Sequence, residues 1–318
     1  MKHVFNTVVF NDIFDSGLYT THPFLDSNCI DLNLGHSLSR CGVLTPPILL
    51  EQQKDNYDII CGRRRLRYLE EQLQQESCCC RIFSSSTPFD HILAVLVEDQ
   101  HAAAPLSIME QACFVELCHR LLDDNKAVES YLKTLPNGRI TKGTSFLRPL
   151  LQLEENAQKM LHEGVIAEKI ITPLLQLNDD DRLVFQEIVT TVQPGGNNQK
   201  KLIVALNDIV KREKITLAAF CNEPDVKAAL NDEGLTTQQK CATLVEIVTR
   251  RRQPQLSAAQ HLFSERVKAL HLPKNCELSH SPSFERDEVT LSLRFSGFDD
   301  LEKHWPEIRT KVEKWLSR

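Results

Sequence analysis

The sequence contains no run of eighteen apolar residues, the length at which a helix becomes a candidate to cross a bilayer. Residues 1–6 also lack the apolar stretch that a signal peptide needs. We therefore expect neither a membrane span nor secretion, and predict a cytoplasmic protein. Hydrophobic residues still make up 42% of the 318 positions, which is enough apolar material for two or three folded domains.

The sequence also has no surplus of positive charge. Its formal net charge is −6 and its pI is about 6.0, whereas proteins dedicated to nucleic acids usually carry a basic surplus. The overall balance therefore argues against a simple DNA-binding protein, and any contact with DNA would need a local basic patch.

The 11 cysteines show none of the spacings of a metal site. The cluster Cys78-Cys79-Cys80 lies in a predicted strand, where adjacent side chains point to opposite faces and cannot together close a tetrahedral zinc site. We expect reduced thiols that act as small core side chains.

The pattern of apolar residues changes character several times along the chain. Residues 47–50, 57–61 and 78–83 predict strands, whereas helical spacing dominates after Pro105 and a cleanly alternating strand returns at 289–295. The predicted regions are an N-terminal arm (1–20), an α+β domain (21–104), a helical domain (105–195), a helical extension (196–253) and a small α/β domain (254–318). Further predicted helices cover residues 90–97, 127–135, 145–151, 154–163, 166–175, 179–192, 198–211, 238–251 and 257–270.

The segment Gly62-Arg63-Arg64-Arg65-Leu66-Arg67 follows a predicted strand and begins a predicted helix. Cations at a helix N-terminus oppose the macrodipole by roughly 0.3–1 kcal/mol each, and here they also repel one another. An anionic ligand removes this conflict, because free backbone N–H groups and arginines then converge on one charge. The segment therefore predicts phosphate binding. The alternative is that the arginines extend into solvent or pair with Glu70 and Glu71.

Four segments carry a resemblance to a known family. Residues 60–68 resemble the Gly-Glu-Arg-Arg-x-Arg-Ala motif of ParB/RepB-type partition proteins, and residues 37–46 resemble the upstream segment that ends in Gly-x-x-Gln-Pro. Residues 96–101 are similar to the family's Glu-Asn-x-Gln-Arg segment, and residues 105–112 to the helix opening that follows it. The four segments occur in the family's order, and the resemblance covers roughly residues 22–175.

The resemblance implies a ParB/sulfiredoxin-like domain that binds CTP with Mg²⁺ and acts as a clamp-like switch, in a protein that forms a homodimer. By matching position, the residues that would hold the triphosphate are Gly62, Arg64, Arg65 and Arg67. The residues that would line the base pocket are Gly42, Val43 and Leu44. Glu98 would lie beside the phosphates and the metal, with Asp99 as a second metal ligand.

The sequence departs from the family at four of these positions. Arg63 replaces a glutamate, Thr45 a glutamine, Asp99 an asparagine and Ala102 an arginine. The last two departures remove polar contacts around the phosphates and the metal. These departures argue against CTP hydrolysis more than against CTP binding. A weak CTPase activity is therefore left open.

In ParB proteins a helix-turn-helix follows the nucleotide domain. Here the predicted helix 127–135 and a second helix from about residue 144 occupy that place, and the matching candidates for DNA contact are Lys142, Thr144, Ser145 and Arg148. The connecting turn is longer than the usual three or four residues, and Pro149 interrupts the second helix. An ordinary helical bundle is therefore the alternative.

Two other functions remain open at this stage. The acidic balance and the altered residues 98–102 favour a regulatory or interaction protein whose nucleotide site has decayed. A sulfiredoxin-like cysteine enzyme is the third possibility, because the two folds are similar and the neighbouring arginines would lower the pKa of the Cys61 thiol.

A second basic run, Arg250-Arg251-Arg252, ends a predicted helix. Cations at this end favour the helix dipole, so we expect a solvated helix terminus here.

Overall fold

The computed structural model describes residues 3–24, 32–53, 55–122, 124–136, 138–270, 272, 276–281 and 288–316. The chain forms two compact units, Met1–Leu175 and Gln176–Arg318. This division falls inside the region 105–195 that was predicted as one domain, and the finer division of the chain stays a prediction. Within the described residues, every helix is too short or too polar to traverse a bilayer.

A five-stranded mixed sheet with the strand order β1-β5-β3-β4-β2 forms the base of the first unit. Its strands are β1 (His3–Val9), β2 (Ile13–Phe14), β3 (Ile48–Gln53), β4 (Asn56–Cys61) and β5 (Ser77–Phe83). The hairpin of β3 and β4 is antiparallel. β5 lies parallel to β3, because the chain crosses over through a helix before it returns to the sheet.

Residues 3–14 correct the prediction of an N-terminal arm. β1 pairs with β5 over its whole length, from His3 opposite Phe83 to Val9 opposite Ser77. β1 is an edge strand in which only Val8 is buried, so its sequence carries no alternating pattern that could have predicted a strand. Residues 3–14 are therefore part of the sheet.

Eight α-helices complete the first unit, within its described residues. They are α1 (Leu32–Cys41), α2 (Arg63–Glu71), α3 (Phe89–Ala103), α4 (Ile108–Leu121), α5 (Asn125–Thr134), α6 (Thr144–Leu147), α7 (Glu155–His162) and α8 (Ile171–Leu175), with 3-10 helices at Phe10–Asp12, Arg148–Gln152 and Glu168–Ile170. The residues Ser107-Ile108-Met109-Glu110 predict a capping box, and it opens α4: Ser107 Oγ accepts from the Glu110 amide at 3.2 Å, and Glu110 Oε2 accepts from the Ser107 amide at 2.7 Å.

The sheet is covered on both faces by helices. On one face Leu49 and Ile59 pack with Leu66 and Leu69 of α2, and on the other face Ile48 and its neighbours pack with α3 and α4. The cysteine cluster follows the predicted alternation, because Cys78 and Cys80 are buried in the α2-side core and Cys79 is exposed. The described cysteines are free thiols.

The second unit is mostly helical. Its elements are α9 (Asp179–Val192), α10 (Gly196–Glu213), α11 (Leu217–Cys221), α12 (Pro224–Asn231), α13 (Thr237–Arg252), α14 (Pro254–Ala269), β6 (Cys276–His280), β7 (Val289–Leu293) and α15 (Phe298–Leu316). The helix predicted from residue 257 begins three residues earlier, because Pro254 occupies its first turn, where a proline is tolerated. β6 and β7 form a two-stranded antiparallel sheet.

Candidate functional site at the N-terminus of α2

Gly62 connects the end of β4 to the first residue of α2 in a conformation that other residues rarely adopt. Its φ is +94°, in the left-handed region, and a Cβ here would lie 3.0 Å from the Cα of Pro47. Gly62 is the N-cap of α2 and has no side chain to cap it. The amides of the first helical turn are therefore left for solvent or for a ligand.

Arg63 points away from this opening and stabilises the fold. Its guanidinium forms two hydrogen bonds with Asp15, at 2.8 and 2.9 Å, and a third with the carbonyl of Ile59 at 2.9 Å. Burial alone would raise the pKa of Asp15, but the hydrogen bonds from Arg63 hold it below its ordinary value. The arginine that replaces the family's glutamate therefore joins residue 15 to the sheet and to α2.

Arg65 brings three distant segments together. One of its guanidinium nitrogens donates to the carbonyl of Thr45, and another lies 3.6 Å from a carboxylate oxygen of Asp99. Burial, and after it the negative charge of Asp99, raise the pKa of the Cys61 thiol beside this carboxylate. The three segments that the sequence singled out, around residues 45, 62–67 and 99, therefore meet at the start of α2.

Arg64 and Arg67 of α2 are exposed. Arg67 Nε is 3.9 Å from Glu71 Oε1, so the pairing with a helix carboxylate that was the alternative to phosphate binding is formed at this residue. Of the four residues assigned to the triphosphate, Gly62 and Arg65 contact the converging segments, and Arg64 and Arg67 are exposed.

Glu98 is held by an arginine that the sequence did not single out. Arg139, in the loop after α5, donates from Nε to Glu98 Oε1 at 3.0 Å and from Nη2 to Oε2 at 2.8 Å. These hydrogen bonds lower the pKa of Glu98. Both predicted metal ligands thus face a guanidinium, Glu98 that of Arg139 and Asp99 that of Arg65. No cluster of three or more metal-ligating side chains occurs among the described residues, and the side chain of Ala102 is outside them.

A cleft of 290 Å³ opens beside Asp99. Its lining residues are Phe5, Thr45, Pro46, Ile48, Arg81, Val95, Glu98 and Asp99. The sequence had assigned the base pocket to residues 42–44, but the cleft is lined by the two residues that follow them. Gly42 has open space around its Cα, Val43 packs against the α2-side core, and Leu44 is 75% exposed.

Cys61 does not have the environment of a reactive thiol. It is buried, and burial together with the negative charge of Asp99 raises its pKa well above the ordinary value. The expected lowering by the neighbouring arginines is wrong because these two effects outweigh the arginine charges. The observation removes the main argument for a sulfiredoxin-like cysteine enzyme.

Two of the predicted DNA-contact residues, Thr144 and Ser145, lie in a shorter helix than expected, with Lys142 before it and Arg148 after it. The predicted helix 145–151 is a four-residue helix, α6, followed by a 3-10 helix over Arg148–Gln152. Pro149 has no amide hydrogen and disfavours a continuous α-helix. Lys142 and Ser145 are exposed and Thr144 is half-buried. Arg148 Nε lies 3.2 Å from Glu116 Oε2.

Comparison with solved structures returns partition proteins. One is a C-terminally truncated chromosome-partitioning protein ParB from Caulobacter crescentus complexed with CTP-γ-S, which is 14% identical, with 59% of this chain and 99% of that chain covered and a TM-score of 0.26. Another is a Pnob8-like ParB-N domain, 14% identical, with 79% and 98% covered and a TM-score of 0.36. The chain is similar to ParB proteins.

No protein-family model matches the sequence, and no curated protein matches it. The family that the four sequence segments resemble is the one to which the two solved structures belong. Their low identity and TM-scores leave the functional argument to the residues of the chain itself.

Proposed function

We propose that the chain is a ParB-like partition or transcription-regulator protein that binds CTP at the start of α2. The observation that carries this proposal is the meeting of Thr45, Arg65 and Asp99, which lie far apart in sequence, around an uncapped helix N-terminus. A helix N-terminus with arginines beside it favours a phosphate group. CTP is the nucleotide that the resemblance to ParB proteins implies.

The carboxylates near this opening fit Mg²⁺ in type and number. Mg²⁺ is usually held by one or two carboxylates together with substrate phosphates, and Glu98 and Asp99 would be those carboxylates. In the nucleotide-bound protein the phosphates would balance the positive charge of the arginines that are paired with Glu98 and Asp99 here, which would leave both carboxylates for the metal. The bound metal would neutralise phosphate charge, while Arg64 and Arg65 would orient the triphosphate.

Isothermal titration of the full chain with CTP, with and without Mg²⁺, tests the proposal. We expect saturable binding that strengthens when Mg²⁺ is present and weakens at least about tenfold in Arg64→Ala. Arg120→Ala, which removes a surface arginine from α4, is the matched control and should bind as the unmodified chain does. If no nucleoside triphosphate binds, the proposal fails and a regulatory protein with a decayed site is the better description. The pairing of Glu98 and Asp99 with arginines favours that second candidate.

We further propose that Lys142, Thr144, Ser145 and Arg148 contribute to a DNA-binding surface. Support comes from their position after the nucleotide domain and from the exposure of Lys142 and Ser145. Gel shifts over a salt series test this, because contacts with phosphates must weaken as salt rises. Binding that is unchanged in Lys142→Ala and in Arg148→Ala would refute the assignment.

We also propose that residues 254–318 form a homodimer interface. Leu278, Leu291 and Leu293 line one face of the β6–β7 sheet and are only half-buried, while Phe263 of α14 packs against His280 on that face with 4.6 Å between the ring centres. Phe298 of the same region is 84% exposed. Sedimentation analysis should show that the full chain is a dimer. In Leu291→Asp the equilibrium should shift towards the monomer.

A further inference from the structure

The outer edge of β1 is open. β1 is the last strand on its side of the sheet and pairs with β5 along its whole length, and no described strand lies against its other edge. All of its residues except Val8 are exposed. An open edge presents unpaired backbone N–H and C=O groups, which are a template for a further strand.

The hydrogen bonds around β1 show which of its backbone groups point outward. The amide of Phe10, one residue beyond the strand, donates to the carbonyl of Glu76 at 3.0 Å and so continues the register with β5. In an antiparallel pair, residues that bond to the partner strand alternate with residues that do not. The even-numbered residues of β1 therefore bond to β5, and the backbone groups that face outward are those of His3, Phe5, Thr7 and Val9.

Two further contacts agree with this assignment. The amide of Arg81, which lies opposite Phe5, donates at 2.8 Å to the carbonyl of Pro47 on the β3 side of β5. The amide of Thr7 donates at 2.9 Å to the side chain of Asn6. Asn6 thus accepts from one outward-facing amide while the edge is open, and the carbonyl of an added strand would take its place.

The edge lacks the features that usually prevent strands from pairing. Charged side chains, proline and short length protect natural edges, and residues 3–9 contain no Asp, Glu, Lys, Arg or Pro. Val4 is 63% exposed, Phe5 57% and Val9 46%. The opposite edge of the sheet, β2, is only two residues long and is followed by Asp15. The sheet therefore has one protected edge and one edge suited to an uncharged, apolar strand.

We propose that β1 pairs antiparallel with β1 of a second copy of this chain, in the register that places Asn6 opposite Asn6. Each outward-facing residue then meets another one, and the two strands overlap along their whole length. The opposing pairs are His3 with Val9, Phe5 with Thr7 and Val4 with Val8. A shift by one residue would place outward-facing groups against groups that already bond to β5, and a shift by two would shorten the overlap.

The chemistry of the edge favours its own copy as the partner. β1 offers no Asp, Glu, Lys or Arg with which to select a charged peptide, and the strand that suits it is neutral and apolar, as β1 itself is. Pairs of aromatic and β-branched residues such as Phe5 with Thr7 stabilise antiparallel strands. A two-fold interface uses the same surface of both copies. The pairing would join two five-stranded sheets into one sheet that ends at the short β2 on both sides.

Sedimentation equilibrium of the full chain carrying Leu291→Asp tests the inference, because this background is designed to remove the contact proposed for residues 254–318. One strand pair is smaller than the roughly 800 Å² per partner of a standard interface, so we expect a dimer that forms as the concentration rises. Thr7→Pro removes an outward-facing amide that β5 does not use, and should weaken the dimer at least about tenfold. Thr7→Val keeps the amide and is the matched control. Asn6→Val releases the Thr7 amide and should strengthen the dimer.

An exchange of charge tests the register without changing the backbone. Phe5→Lys and Thr7→Glu, each alone, place like charges diagonally across the two-fold axis and should weaken the dimer. A mixture of the two variants should associate more tightly than either, because the new lysine of one copy lies opposite the new glutamate of the other.

Three results would overturn the pairing of β1 with its copy. They are no association of the Leu291→Asp chain up to roughly 100 µM, association that Thr7→Pro leaves unchanged, and a mixture of Phe5→Lys with Thr7→Glu that associates no better than its components. Circular dichroism checks the fold of each variant, and if Thr7→Pro does not fold, the mixture decides. The test uses no nucleotide, so its outcome is independent of the proposed CTP binding.

Discussion

The chain contains two runs of three arginines, at residues 63–65 and at residues 250–252, and they lie at opposite ends of their helices. The first begins α2, where the helix dipole opposes positive charge, and the second ends α13, where the dipole favours it. The second run also has nearby carboxylates: Arg251 contacts both Glu213 and Glu223, and Arg252 Nε lies 2.7 Å from Asp208 Oδ2.

The difference shows how position decides the use of the same residue type. At the end of α13 the helix dipole and the nearby carboxylates both favour the positive charges, so Arg251 and Arg252 act as internal connections of the second unit. At the start of α2 two arginines are used in that way, Arg63 through Asp15 and Arg65 through Thr45 and Asp99, whereas Arg64 is exposed beside a helix terminus with no side-chain cap. Arginines at the start of a helix, where the dipole opposes their charge, therefore indicate a ligand better than arginines at the end of a helix do.

The largest effect is expected at Arg251. Arg251→Ala leaves Glu213 and Glu223 without their shared guanidinium, which is stacked 5.2 Å from the centre of the Phe220 ring, and should lower the free energy of unfolding by about 3 kcal/mol. Urea denaturation of the full chain measures this. Arg250→Ala changes an exposed neighbour in the same run and should stay within about 0.5 kcal/mol. Equal stability of the two variants would contradict the comparison.

The two roles within residues 63–65 can be separated by a second pair of variants. Arg63→Ala loses the bonds with Asp15 and with the carbonyl of Ile59, and should lower the free energy of unfolding by about 2 kcal/mol. Arg64→Ala should change the free energy of unfolding by less than about 0.5 kcal/mol but weaken the binding of CTP. Thermal unfolding and nucleotide titration of both variants make the test. An Arg64→Ala protein that is less stable than Arg63→Ala would reverse our assignment.

Gly62→Ala should lower the stability by a smaller amount, and Gly164→Ala serves as its reference. Gly62→Ala forces a Cβ into the left-handed region, at about 1–2 kcal/mol, and into contact with Pro47. Gly164 has a φ of +73° with nothing within 4 Å of the added Cβ, so Gly164→Ala incurs only the backbone strain. The difference between the two variants in thermal unfolding isolates the close approach of Pro47. No difference would mean that Pro47 moves aside without loss.

The sequence predicted the parts of this fold that carry periodic patterns. The strands β3, β4 and β5, the helix after Gly62, the capping box at Ser107 and the bounds of α9 follow from alternation, helical spacing and side-chain chemistry. β1 was missed because an edge strand with one buried side chain has no period. The helix expected across Pro149 failed because the proline favours a 3-10 turn there.

The candidate site was predictable only in part, for a related reason. The residues of the three motif-like segments were found from their spacing, but their partners come from elements remote in sequence. Arg139 reaches Glu98 from a loop, Asp15 reaches Arg63 from the turn after β2, and Phe5 meets Arg81 through strand register. None of these partners has a local signal, because strand pairing and loop packing bring them together.

The smallest expected effect concerns pH and the second arginine run. Hydrogen bonds from Arg251 and Arg212 lower the pKa of Glu213 from the ordinary 4.5 to about 2. A pKa that is lower in the folded state makes the carboxylate stabilising above pH 4.5, and this contribution is lost as the pH falls towards 2. The loss should be modest, because Glu223 still binds Arg251 and solvent reaches the pair.

Glu213→Gln tests this by removing the titrating group while keeping its shape. The variant should be less stable than the unmodified chain at pH 7, and the gap should narrow as the pH is lowered from 4.5 towards 2. Thermal unfolding across that pH range measures the gap directly, with Glu277→Gln as a control at a highly exposed carboxylate. A gap that stays constant with pH would show that the Glu213 carboxylate contributes through its shape and not through its charge. The second run would then owe its stability to Glu223 and Asp208, and its contrast with the start of α2 would depend on those two residues.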